Sequence, residues 1–250
     1  MAKKLETKGK RQQIKEQRLK RQRQQRMVTI LIISGVAILI AGFLILPSLQ
    51  RSLAPVGDVV QITPANRPLE DGVALGDPAA PVKVEVWSDF QCPACRNYSE
   101  DIEPLVVANY VANGKARYIY HNYPFLDDSS ISKESDQAAQ ASMCAADQGR
   151  FWDYHDILFA NWNGENLGAF RDKRLIAFAE ALNLDMGKFS TCFNQGDHEE
   201  EINKDLADGN RAGVSGTPSV FVNGKILTPG RVPSFEDIAA AIDAAISSGN

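Results

Sequence analysis

The sequence predicts an α/β domain in which a β-α-β unit and a β-β-α unit flank a block of helices, behind a single transmembrane helix. Three observations lead there. Met27 to Leu46 is an apolar run without a charge. A Cys-Pro-Ala-Cys tetrapeptide, Cys92 to Cys95, divides a strand-like alternation from a helix-like spacing. Far downstream, Thr217-Pro218 precedes another short apolar strand.

The chain has 250 residues and a formal net charge of −4. That balance hides an asymmetry: Met1 to Arg26 hold 11 Lys and Arg against 2 Glu, and the remainder is acidic. A basic arm alone is compatible with nucleic acid binding. Here it abuts the apolar run directly, and no nucleic acid partner is expected. At 1.5 Å per residue the run spans about 30 Å, the hydrocarbon thickness of a bilayer. Lys and Arg on one flank only form the positive-inside signature. The expectation is a single-pass cell-membrane protein: a cytoplasmic tail over 1–26, an anchor in lipid over 27–46, and the C-terminal mass outside the cytoplasm. Both the basic region and the apolar run exceed those of an ordinary signal peptide, and Ser52-Leu53-Ala54 before Pro55 is a poor cleavage site. A retained anchor is therefore preferred to a cleaved signal.

Residues 47–72, rich in Pro, Gly and Asp, read as a linker, with Val59 to Ile62 as a short strand inside it. Residues 73–250 suffice for one domain with a sizeable core. Val82, Val84 and Val86 alternate with Lys83, Glu85 and Trp87, which predicts a strand from Val82 to Phe90. Pro93 suits the first turn of a helix, where its missing N–H is no loss. Tyr98, Ile102, Leu105, Val106 and Tyr110 then keep one helical face until Asn113-Gly114. Ala116 to Asn122 is the second strand. A helical insertion follows over about 131–196, then a helix from Glu199 to Ala212. Ser219 to Val222, the turn Asn223-Gly224, and Lys225 to Leu227 make a hairpin, and Phe235 to Ile246 a last helix. Strand-helix-strand implies a parallel pair, and the hairpin adds an antiparallel edge. This order is a thioredoxin-like fold with an inserted helical subdomain.

Two cysteines spaced by two residues can close a disulfide and reopen it within one helical turn. The thiolate is the nucleophile in exchange, so the working cysteine needs a lowered pKa and access. Cys92 falls at the expected helix N-terminus, where free N–H groups and the macrodipole favour a negative sulfur. Cys95, one turn in, is the sheltered resolving thiol. Pro93 and Ala94 offer that sulfur no side-chain donor. The alternatives are a static disulfide or half a zinc site; His121, His155 and His198 show no matching ligand spacing. No metal and no cofactor is expected. An X-Pro bond adopts cis at low cost, and at Thr217-Pro218 such a turn offers a backbone edge beside the cysteines for a substrate peptide.

WSDFQCPAC (Trp87 to Cys95), CAADQGRFWDYHDILFANW (Cys144 to Trp162) and GVSGTPSVFVNG (Gly213 to Gly224) together resemble the DsbA-like thiol-disulfide oxidoreductases of bacterial envelopes. The resemblance runs from about Asp77 to the C-terminus. It implies Cys92 and Cys95 as the redox pair and Pro218 as a cis-proline. One departure stands out. Many relatives carry a buried acid six residues before the first cysteine, and here that place is Val86. The adjacent Glu85 should face the opposite side, since a shift of one residue flips a strand side chain.

All four cysteines lie in the part expected outside the cytoplasm, where disulfides persist. Pairing Cys144 with Cys192 closes a loop of about 49 residues and constrains the unfolded chain by up to ~4 kcal/mol. Relatives with similar motifs often carry such a second pair. Separate buried thiols and a second redox relay are the alternatives. His121 reads as exposed or hydrogen-bonded, His155 as part of a helix face, Glu199 to Glu201 as acidic residues favoured at a helix start, and Trp152, Tyr154 and Trp162 as core. Three functions remain open. The first is an oxidase that donates disulfides to exported protein thiols and is recharged by a membrane partner of DsbB or VKOR type. The second is a reductase or isomerase fed by a membrane electron donor. The third is a non-catalytic module that holds clients in the cis-proline groove.

Overall fold

The computed structural model describes the backbone of residues 2–53, 56–127 and 132–249. It divides into two units, residues 1–55 and 56–250.

The first unit is one helix, α1 (Ala2–Leu53). Among the described residues, one stretch of it, Arg18–Leu44, is long and apolar enough to cross a membrane. Its side chains point outward, with Leu39 74% and Phe43 80% exposed. Such exposure is costly in water and natural in lipid.

The second unit is built on a five-stranded sheet in the order β1-β3-β2-β4-β5. These are β1 (Ala74–Leu75), β2 (Val82–Ser88), β3 (Ala116–Asn122), β4 (Ser219–Val222) and β5 (Lys225–Ile226). The central β2 pairs in parallel with β3 and antiparallel with β4, and β1 and β5 add antiparallel edges. Between β2 and β3 run α2 (Pro93–Asp101), α3 (Glu103–Val106) and a wider π turn over Val107–Val111. The insertion is α4 (Glu134–Ala146), α5 (Phe151–Ala160), α6 (Asp172–Ala181) and α7 (Met186–Gln195); its expected start, near 131, lies outside the described residues. α8 (Glu199–Ala212) and α9 (Phe235–Ser248) complete the unit.

Both faces of the sheet are covered. Val82, Val84 and Val86 join the main core with Tyr118, Tyr120 and the inner residues of the insertion. Trp87 points the other way, into a smaller cluster with Tyr123, Val214 and Phe221. α8 lies close over it: a Cβ on Gly209 would stand 2.7 Å from the Trp87 ring, so only glycine fits there.

Four expectations need correction. Residues 47–72 are not a linker throughout, because α1 continues to Leu53 and the packed unit begins at Val56. Val59 to Ile62 is not a strand. The Val60 N–H and C=O bond instead to the Asn161 side chain, at 2.8 and 2.9 Å, and Arg174 Nη1 donates to the Val56 carbonyl at 2.7 Å. The first strand ends at Ser88 rather than Phe90. Finally, Leu105 is 45% exposed while Glu103 is 3% exposed. Pro104 cannot donate to the carbonyl four residues back, the helix breaks at Ile102, and the face rotates.

Candidate active site

β2 ends at Ser88, and the loop from Asp89 to Gln91 delivers Cys92 to the N-cap of α2, with Pro93 the first helical residue. Cys92 has extended backbone angles, φ −72° and ψ 123°, and no side chain caps the helix. Its sulfur therefore sits over unsatisfied N–H groups. The register Trp87↔Ser219 between β2 and β4 brings the segment before β4 alongside, and the Cys92 Sγ lies 3.4 Å from the Thr217 carbonyl oxygen. The Thr217-Pro218 peptide bond is cis.

The two thiols are unequal. The Cys92 thiol is brought down to about 6, first by the hydrogen bond from the Cys95 thiol and then, against the opposing effect of burial, by the Thr217 side chain and the N–H groups of Cys95 and Ala94. Cys95 is buried, and loss of solvent together with its neighbour Cys92 pushes it well above the usual thiol range. Both are free thiols here, so the site is in its reduced form. A nucleophile and a shielded partner thus sit one turn apart, beside a free backbone segment.

Val86 is buried in the core, and Glu85 lies on the other side, 2.9 Å from Lys83 Nζ and 3.5 Å from His121 Nε2. His121 stacks on Trp87 at 4.3 Å, meets Asp205 through Nδ1 at 3.0 Å, and is raised to about 9 by these carboxylates in spite of burial. Cys144 and Cys192 are bonded to each other and join α4 to α7, with Cα atoms 5.8 Å apart.

Two polar groups escaped the sequence reading. Asp89 is buried and accepts from the Gln91 N–H at 2.8 Å, Ser135 Oγ at 2.7 Å and the Leu126 N–H at 3.1 Å; burial pushes its carboxyl up to about 7. Its place in WSDFQCPAC was the available signal. Glu103 is buried with Tyr118 Oη at 3.1 Å, His155 Nε2 at 3.7 Å and Arg67 Nη2 at 4.0 Å. Nothing in the periodicity pointed to it.

The profile of the family described as Thioredoxin matches residues 69–244. The chain belongs to that family. "Probable disulfide bond formation protein D" of Bacillus cereus is 30% identical over 174 residues, covering 68% of this chain and 76% of that protein. The crystal structure of oxidised BdbD from Bacillus subtilis superposes with a TM-score of 0.63 at 21% identity, over 76% of this chain and all of that one (100%). A thioredoxin-like oxidoreductase from Silicibacter pomeroyi gives 0.57 at 25% identity, over 73% and 99%. Within the thioredoxin family this chain is a DsbA-like thiol-disulfide oxidoreductase.

Proposed function

We propose that this chain is an extracytoplasmic thiol oxidase that introduces disulfides into exported proteins through Cys92 and Cys95. In the oxidised enzyme a substrate thiolate attacks the Cys92 sulfur and the Cys92–Cys95 bond breaks. Cys95 leaves as a thiolate and takes up a proton, which its raised pKa favours. A second substrate thiolate then attacks the substrate sulfur of the mixed disulfide and expels Cys92 as a thiolate. Two electrons have passed from substrate to enzyme, and the substrate holds the disulfide. Thr217 and Pro218 present the backbone segment beside which the substrate peptide lies. A membrane partner of DsbB or VKOR type removes the two electrons. The tail over 1–26 stays in the cytoplasm, and the anchor over 27–46 holds the domain on the far side of the bilayer.

The observation that carries this reading is the depressed Cys92 thiol over a helix end. Stabilising the reduced form makes the disulfide a stronger oxidant, and about 30 mV corresponds to 1.4 kcal/mol. Titrating the pair against glutathione tests the direction. A potential clearly more oxidising than thioredoxin's, about −270 mV, is expected, on the way toward DsbA's, about −120 mV; one at thioredoxin's value assigns the chain to reduction instead.

A further inference from the structure

The acidity of Cys92 is set first by the Cys95 thiol and also needs its sulfur to stay over the N–H groups of Cys95 and Ala94. α2 itself does not secure this, since no side chain caps it, and an uncapped helix end is the part most prone to fray. The restraint has to come from outside the helix.

Resting on the oxidoreductase reading above, we propose that Trp162, in the loop just after the insertion's α5, is a positioning residue that holds Cys92 from both sides. Its indole Nε1 donates to the Gln91 carbonyl at 2.7 Å. The same indole ring lies beneath Arg96, whose guanidinium carbon is 5.5 Å from the ring centroid. The Arg96 N–H donates in turn to the Cys92 carbonyl at 3.1 Å. The residue before Cys92 and the residue one turn after it therefore meet on one side chain, and a closed ring encircles the reactive cysteine.

Gln91 makes that ring rigid. It is fully buried, and each of its polar groups is engaged. Nε2 donates to Ser135 Oγ at 2.9 Å and Asp127 Oδ1 at 3.3 Å, Oε1 accepts from the Asn166 N–H at 2.6 Å, and its N–H reaches Asp89 Oδ1 at 2.8 Å. Ser135 belongs to α4, while Trp162 and Asn166 lie in the loop after α5. The helical insertion thus does the work of the missing cap. A buried side chain with every donor and acceptor paired is costly to displace. Rotating Gln91 would break bonds to three segments at once.

Two variants of the full-length protein in detergent test this. Trp162→Phe keeps an aromatic face under Arg96 and deletes the N–H; Trp162→Ala removes both contacts. The readouts are the alkylation midpoint of Cys92 against pH, the glutathione equilibrium of the pair, and thermal unfolding. Trp162→Phe should raise the midpoint and slow alkylation below it by up to about fivefold, a ceiling set by the worth of one hydrogen bond, and make the pair less oxidising in step, with Trp162→Ala larger in both. If Trp162→Phe folds and its Cys92 midpoint is unchanged, Trp162 is packing alone and the proposal is overturned, whatever happens to the melting temperature. Failure of the underlying function reads out separately: there the parent protein itself would show Cys92 ionising as an ordinary thiol.

Discussion

The Cys92 sulfur lies 3.4 Å from the carbonyl oxygen of Thr217, a residue 125 positions away in the chain. The sheet makes that meeting inevitable. β2 and β4 are antiparallel neighbours with Trp87 opposite Ser219. The chain leaving β2 toward Cys92 and the chain entering β4 through Thr217 therefore share one end of the sheet. A reactive sulfur and a backbone segment for substrate are delivered to the same place by strand pairing alone.

Alkylation of Cys92 should follow a single ionisation near pH 6, where its thiol is placed by Cys95, Thr217 and the helix N–H groups. Its thiolate is then the dominant form at neutral pH, while Cys95 stays protonated and unreactive. Mass spectrometry of carbamidomethylated protein across pH 4 to 9 checks both. A midpoint in the ordinary thiol range of about 8.5 contradicts the assignment.

Cys95→Ser should retain attack by Cys92 and lose resolution within the enzyme. Incubated with a disulfide-bonded peptide, it is expected to accumulate a mixed disulfide at Cys92. Cys92→Ser should form none and lose exchange altogether. Non-reducing gels followed by peptide mapping distinguish the two variants, and equal trapping by both would remove Cys92 from the nucleophile's role.

His121 makes stability depend on alkaline pH. Its folded pKa, about 9, stands above the ordinary 6.5 because Asp205 and Glu85 hold the imidazolium. The sign follows from linkage: the folded state keeps a proton that the unfolded chain releases, so the contribution is complete below about pH 6.5 and is lost as pH rises through 9. Its size is on the order of 3 kcal/mol. Urea unfolding at pH 6 and pH 9.5 should show a stability drop in the parent that His121→Gln lacks. An identical slope in the variant would argue that other groups carry it.

Removing the Cys144–Cys192 bond should destabilise the domain without changing the Cys92 midpoint. The bond spans 48 positions, and a closed loop of that length constrains the unfolded chain by about 4 kcal/mol in the entropy model. The double variant Cys144→Ala/Cys192→Ala is expected to unfold at clearly lower urea. Unchanged stability would mean that the unfolded state is already restrained there.

Much of the fold was legible locally. β3 was expected over Ala116 to Asn122 and is found there, since alternation within one strand records its two faces without reference to other segments. The hairpin around Asn223-Gly224 was equally local, with Asn223 at φ 48° and Gly224 at φ 75°. Less local features were missed. β1 has two residues and no pattern to read. Glu103 faces inward only because Pro104 breaks a helix whose periodicity had placed Leu105 there. The segment around Val60 was read as a short strand in a linker because its fixing partner, Asn161, is 101 positions away.

The amino-acid sequence alone determined the apolar span, the order of the longer strands and helices, and the pair Cys92 and Cys95 at a helix start. These are properties of neighbours along the chain. Only the tertiary structure decided how acidic one sulfur is and how shielded the other, that Cys144 is bonded to Cys192, and that Gln91 and Trp162 steady the reactive end. The reason is that a thiol's ionisation is set by groups within a few ångströms in space. Those groups come from distant segments, with Thr217 beside β4 and Trp162 after α5, and nothing in the local pattern at Cys92 names them.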